Sequence, residues 1–274
     1  MKYRSLGSIV SGTVSVMLMS NSAIAATFNG YDLNTSSPLI PLTKVTAPIS
    51  EAAFKTFSDN LAEATVTTES FEGVSGAING LSRTISNTTA TFSYTQKNPT
   101  DPNNPGVPGT ATTSVQKANG AGFTNAGTYP TDGMYGISIN SENNFSISFS
   151  NSLAAFGYFG TDLGDGGNIL TMKFFNGTTL VNSTAIPTNV GSANSSEFFF
   201  GFIADSPAEE FNRVEFVSSI NSGGDAIGID QIKIATPTQV TTKIPKPAAL
   251  WGTLLCGGCL VEIKRSKRVR SSEK

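Results

Sequence analysis

Apolar residues recur at every second position over short stretches of this chain. Phe145, Ile147 and Phe149 alternate with serines, and Tyr135, Ile137 and Ile139 keep the same beat. A period of two puts the apolar side chains on one face of a sheet. The same reading predicts strands at 71–74, 90–94, 153–160, 169–175, 179–183, 198–204, 214–218 and 226–234. Gly, Asn, Ser and Asp punctuate them at short intervals, which predicts a mainly β fold, an antiparallel jelly-roll-like β-sandwich, rather than alternating strands and helices. One short helix is expected at the front, where Ser50 offers a cap and Phe54, Phe57 and Leu61 share one face.

Two places disturb the alternation. In the last strand Ile227 and Ile229 have one parity and Ile232 and Ile234 the other, so a β-bulge is expected around Asp230 and Gln231. If Ile232 and Ile234 face inward, Asp230 does too. Glu72 likewise shares parity with Val74 in the first predicted strand. A carboxylate turned toward a core needs backbone donors, a cation or a proton. If the first and last strands pair, Glu72 and Asp230 become candidate ligands of a structural Ca²⁺, against the alternative of hydrogen-bonded or edge-exposed carboxylates. Asp162 and Asp165, in the oxygen-rich stretch 161–168, are a second candidate pair. That stretch lacks EF-hand spacing, and an Asp-Gly turn explains it without an ion. The same holds for Asp225.

Composition narrows the chemistry. The chain has no histidine, which removes Ser-His-Asp and Cys-His arrangements and the commonest ligand of catalytic zinc. Residues 26–247 hold 10 Lys+Arg against 18 Asp+Glu, a net charge of about −8, so nucleic acid is not an expected partner. Phe198, Phe199 and Phe200 in succession send rings to both faces of a strand, as do Tyr158 and Phe159. Phenylalanine of this kind builds core. Trp251, the single tryptophan, lies near the end of the chain, so a flat sugar platform would fall to Tyr94, Tyr129, Tyr135 or Tyr158. Four prolines between 97 and 113 rule out a central strand there and predict a loop.

The two ends read as trafficking instructions. Lys2 and Arg4 precede an apolar run that closes on Ala23-Ile24-Ala25, the pattern of a signal peptide over 1–25 cut by signal peptidase. At the other end, residues 248–261 are 14 without charge, about 21 Å as a helix and short of the ~30 Å hydrocarbon core. Cys256 and Cys259 lie inside this stretch without the strand-helix context of a redox pair or the further ligands of a zinc site. Lys264, Arg265, Lys267, Arg268 and Arg270 follow. A proline motif, an apolar helix and a terminal basic cluster behind a leader resemble the PEP-CTERM sorting tail of exported bacterial proteins. Pro245, Lys246 and Pro247 stand where that family has Pro-Glu-Pro, with Lys in place of Glu, and Glu262 intrudes in the apolar span. The resemblance implies an exosortase-like membrane protease as partner and delivery to the outer surface or the extracellular matrix; the alternative for so altered a motif is an uncleaved tail that anchors the protein in the membrane, its basic run on the cytoplasmic side.

The expected organisation is a signal peptide (1–25), a linker (26–49), a β-sandwich (50–236, with the Pro-rich loop 97–113), a second linker (237–247), a hydrophobic helix (248–263) and a basic tail (264–274). The order "SEAAFKTF", "ESFEGV", "AAFGYFGTDLGD", "FFFGFI", "GDAIGIDQIKIA" also resembles the β-sandwich ectodomains that precede such tails, a likeness that brings no activity with it. Two functions are compatible with these readings. One is a non-enzymatic surface or matrix protein that binds exopolysaccharide through a sheet face or rim loops. The other is a glycoside hydrolase using two of Glu72, Asp162, Asp165 and Asp230, which requires paired carboxyls across a cleft. Mass spectrometry of the protein from its host should find an N-terminus at Ala26 or Thr27 and a C-terminus near Pro247. An intact chain in the soluble cell fraction would contradict both end assignments.

Overall fold

The computed structural model describes residues 25–32, 47–62, 65–95, 114–118, 127–140, 144–163, 169–186, 195–219 and 226–241. The expected leader, the expected Pro-rich loop, the expected sorting motif Pro245-Lys246-Pro247 and the expected tail lie outside them, as do Asp165 and Asp225. Among the described residues no helix is long and apolar enough to cross a membrane.

Two antiparallel sheets face each other, as the alternation predicts. The larger runs in the order β1 (Ala26–Asp32), β12 (Glu197–Ile203), β9 (Ala155–Thr161), β14 (Ala226–Ala235), β7 (Tyr135–Asn140), β6 (Ser114–Lys117), β3 (Gly76–Ala77), with β2 (Thr68–Glu69) also pairing β14. The smaller runs β11 (Thr179–Ala185), β10 (Leu170–Asn176), β13 (Phe211–Ser218), β8 (Asn144–Leu153), β5 (Thr88–Thr95), β4 (Ser82–Ile85). Between them lies a core rich in aromatic rings. Phe174 stacks on Phe202 at 4.2 Å, and Phe216 meets Tyr158 edge-on at 5.3 Å and Phe145 at 5.0 Å.

The centre of the larger sheet, β9, β12 and most of β14, is buried on both faces. Phe198 and Phe200 point into the main core, while Phe199 joins Phe159 on the opposite face beneath α1 (Pro48–Ser58). Glycines make room for that helix. A Cβ on Gly30 would lie 2.3 Å from the Ile49 carbonyl oxygen, and one on Gly201 would lie 2.7 Å from the Phe57 ring. Phe54 and Phe57 pack on Phe159 and Phe199 as their spacing predicts, and Leu61 joins them just past the helix end.

Three expectations need correction. Residues 26–32, assigned to the linker, form strand β1, paired to β12 from Ala26↔Ile203 to Asp32↔Glu197. Ser50 does not cap the helix. Pro48 starts it, the flanking Ala47 offers no side-chain acceptor, and the free N–H groups of Ile49 and Ser50 go instead to the Asp32 carboxylate at 2.7 to 3.1 Å. Residues 71–74 are a turn rather than a strand: Phe71 and Gly73 have φ of 60° and 74°, and the Glu69 carboxylate holds the Phe71 N–H at 2.7 Å. The turn drops Phe71 into the core and leaves Glu72 exposed. Gly30→Ala and Gly201→Ala should each cost about 1–3 kcal/mol in urea unfolding, because helix and sheet must part. Gly136→Ala, whose new Cβ would meet nothing nearer than 3.4 Å, should cost far less.

Candidate functional site

The carboxylates singled out in the sequence have definite seats. A register shift in the β14–β9 pairing between Asp230 and Lys233, with Gln231 at φ 47°, is the expected bulge. Its effect on Asp230 is the reverse of the expectation. The extra residue absorbs the phase slip, so Ile227, Ile229, Ile232 and Ile234 all reach the core, while Asp230, opposite Phe159, faces away from it. There it is buried beneath the segment 131–132. It accepts the N–H groups of Asp132 (2.9 Å) and Gln231 (2.7 Å) and the Thr131 hydroxyl (3.2 Å). Burial pushes its carboxyl up to about 7, with these hydrogen bonds opposing the shift.

Glu72 grips the same segment from its other end, accepting the N–H groups of Met134 (2.7 Å) and Tyr135 (3.1 Å). Gly133 lies between, at φ 62°, and any Cβ there would fall 2.1 Å from a Glu72 oxygen. The two acids thus meet the same turn, Asp230 from one end and Glu72, through Oε1 alone, from the other. Among the described residues no three His, Cys, Asp or Glu side chains cluster as metal ligands. Asp162, buried at φ 65°, accepts the Ser195 N–H at 2.7 Å. The carboxylate set opposite β14 is Glu69, paired with Ile232 and ion-paired to Arg83 at 3.0 Å.

A different surface is open. On the outer face of the smaller sheet one row of side chains crosses all six strands: Ser82, Thr91, Ser148, Arg213, Phe175 and Leu180. At the usual strand spacing it is ~24 Å long. Beside it runs a second row, Ser93, Ser146, Glu215, Lys173 and Ser183. The Arg213 guanidinium lies over the Phe175 ring at 4.2 Å and is ion-paired to Glu215. Among the described residues no helix or sheet layer covers this face. Its chemistry is a field of hydroxyls with one aromatic–guanidinium platform and a single excess positive charge, Lys173 and Arg213 against Glu215.

Sequence reasoning found the strands that carry these residues but not the row. Its one legible signal was Phe175, an aromatic at the parity of Lys173 and Thr171, on the solvent side of β10. The four tyrosines proposed as sugar platforms lie elsewhere: Tyr94, Tyr129 and Tyr158 are buried, and Tyr135 packs partly against the core.

No family model matches the sequence, and no curated protein matches it. Among solved structures the chain is similar to the K2 adhesin domain of Lys-gingipain (12% identity, TM-score 0.36, covering 63% of this chain and 99% of that one). It is also similar to an apo cyclase from Fischerella sp. (12%, 0.35, 62% and 97%) and to the xylan-binding domain of a Paenibacillus barcinonensis protein (12%, 0.29, 62% and 95%). Likenesses this distant carry no argument about what the chain binds.

Asp230 gives a pH signature. Its carboxyl titrates near 3.8 when unfolded and near 7 when folded, so the folded chain holds an extra proton between those values. The stabilisation is full below pH 3.8 and is lost as pH rises through about 7. The thermal midpoint should therefore fall between pH 5 and 8 more steeply in the unaltered protein than in Asp230→Asn. Equal slopes would mean that the carboxyl is not the titrating group.

Proposed function

We propose that this chain is an exported, non-enzymatic cell-surface or matrix protein that lays a neutral exopolysaccharide across the outer face of its smaller sheet. The observation that carries the reading is the six-strand row of Ser82, Thr91, Ser148, Arg213, Phe175 and Leu180. A hydroxyl-bearing polymer needs many weak, exchangeable donors and acceptors along its length and one or two flat surfaces for its C–H faces. The row offers both. A body of net charge about −8 repels a polyanion, which favours an uncharged polymer.

The reading also rests on the leader pattern and the PEP-CTERM-like tail, whose partners would be signal peptidase and an exosortase-like protease. The two chain ends of the body support a tethered arrangement, since Ala26, Ile203, Ala155 and Ala235 form one cross-strand row and thus lie at the same end of the sandwich. Of the acids that the hydrolase alternative would use, Asp165 lies outside the described residues. Glu72, Asp162 and Asp230 each hold backbone N–H groups, and the last two are buried.

Affinity electrophoresis of the purified protein through gels cast with neutral polysaccharides tests the proposal. Retardation in at least one such gel is expected, with Phe175→Ala and Arg213→Ala each weakening it about tenfold and leaving the thermal midpoint within a few degrees. No retardation in any neutral gel, or retardation that survives both substitutions, would remove the sheet face from the account.

A further inference from the structure

At the end of the sandwich where the chain leaves β14, four segments distant in sequence enclose a groove of about 380 Å³. Thr65, Ser86, Asn87, Asn151, Thr238 and Gln239 line it, together with Thr236. Each of these side chains ends in a hydroxyl or a carboxamide. None is charged and none is aromatic, in a groove of the size that takes a small ligand.

The walls are held by their own hydrogen bonds. Ser86 and Asn87 form the two-residue hairpin turn between β4 and β5, both at positive φ (48° and 64°), the geometry of a tight primed turn. Asn151 donates from Nδ2 to the Thr88 hydroxyl at 3.1 Å and to the Asn87 carbonyl at 3.4 Å, which ties β8 to that turn. On the other wall Gln239 accepts the Thr236 N–H at 2.9 Å and donates to the Thr65 carbonyl at 2.8 Å. Ser86 is anchored from below, its Oγ accepting the Thr67 N–H at 2.7 Å. These bonds consume the anchoring atoms and leave others for a ligand. Among the described residues, the Asn87 carboxamide and Asn151 Oδ1 make no hydrogen bond to protein.

We infer that this groove is a binding site for one or two units of a neutral polyhydroxylated ligand, a sugar or a chain end. A carboxamide presents a donor and an acceptor side by side, which matches the paired donor and acceptor roles of neighbouring hydroxyls on a ring. Asn87 keeps both roles open and Asn151 offers its Oδ1 from a side chain already held by two bonds, which lowers the ordering cost of binding. An anion would find no cation here and a cation no carboxylate, so a neutral polyol is the class that leaves no charge unpaired. The groove shares no residue with the row on the smaller sheet, and the inference stands or falls separately from the polysaccharide reading.

The test is an amide ¹H–¹⁵N titration of the folded protein with the free disaccharides maltose and cellobiose at millimolar concentration, with the sheet-face variant Phe175→Ala in parallel. Asn87→Gly keeps the positive φ and removes the carboxamide, and Thr238→Val keeps the shape and removes the hydroxyl. Saturable shifts are expected at Asn87, Asn151 and Thr238 with at least one of the sugars. They should weaken about tenfold in Asn87→Gly and Thr238→Val and persist in Phe175→Ala. The same variants in polysaccharide gels separate the sources of ligand: lost disaccharide shifts with unchanged gel retardation assign the groove to free sugar, and loss of both assigns it to polymer ends. Shifts confined to β10 and β13, shifts indifferent to the groove variants, or no shifts with either sugar would overturn the inference.

Discussion

A strand has two sides, and in the central strands of the larger sheet both are covered. The main core takes one face of β9, β12 and β14, and α1 with the segment around Tyr129 to Asp132 takes the other. Every residue of β9 and β12 is buried as a result. This constraint decides much else. It explains why aromatic residues follow one another without alternation in "FFFGF", and why glycines sit where a helix must come close. It also explains why the carboxylates on the covered face take backbone or hydroxyl donors. Glu197, for instance, takes the Tyr129 hydroxyl at 3.1 Å and the Ser50 hydroxyl at 3.4 Å. Surface chemistry is thereby left to the smaller sheet and to the rims.

The bulge in β14 shows how the same constraint handles an acid. A regular strand would have to choose between burying Asp230 in the aromatic core and exposing two isoleucines. One extra residue at Gln231 lets four isoleucines enter the core and turns the carboxyl to the face where N–H donors are waiting. Desolvation still leaves it proton-hungry, with its carboxyl at about 7, so the local arrangement is a compromise between hydrophobic burial and charge solvation.

Much of the fold was legible in the sequence because period-two alternation is a local property. The strands around Ile147, Met172, Phe216 and Ile229 follow from it, and so does the phase slip at Asp230. The direction in which Asp230 points was not legible, because it depends on which strand carries the extra residue. Strand β1 was missed because "ATFNGYD" directly follows the stretch read as a leader and its partner lies about 170 positions away. The turn at Phe71 was missed because an aromatic at φ 60° has no local signature. The two candidate binding surfaces were harder still. Ser148 beside Arg213, or Asn87 beside Asn151, reflects strand register and chain return, which no window of neighbouring residues contains.

Asp32 joins two elements that would otherwise be independent. It ends β1, an edge strand of the larger sheet, and it also supplies the acceptor for the first N–H groups of α1. Unzipping that edge would strip the helix of its opening partner, and a frayed helix would leave a buried anion stranded at the strand's tip. The strand and helix therefore behave as one cooperative latch: the border of the sheet gains resistance to peeling, and to recruitment by another chain's backbone, from a residue that forms no ladder contact with either intruder or neighbour through its side chain.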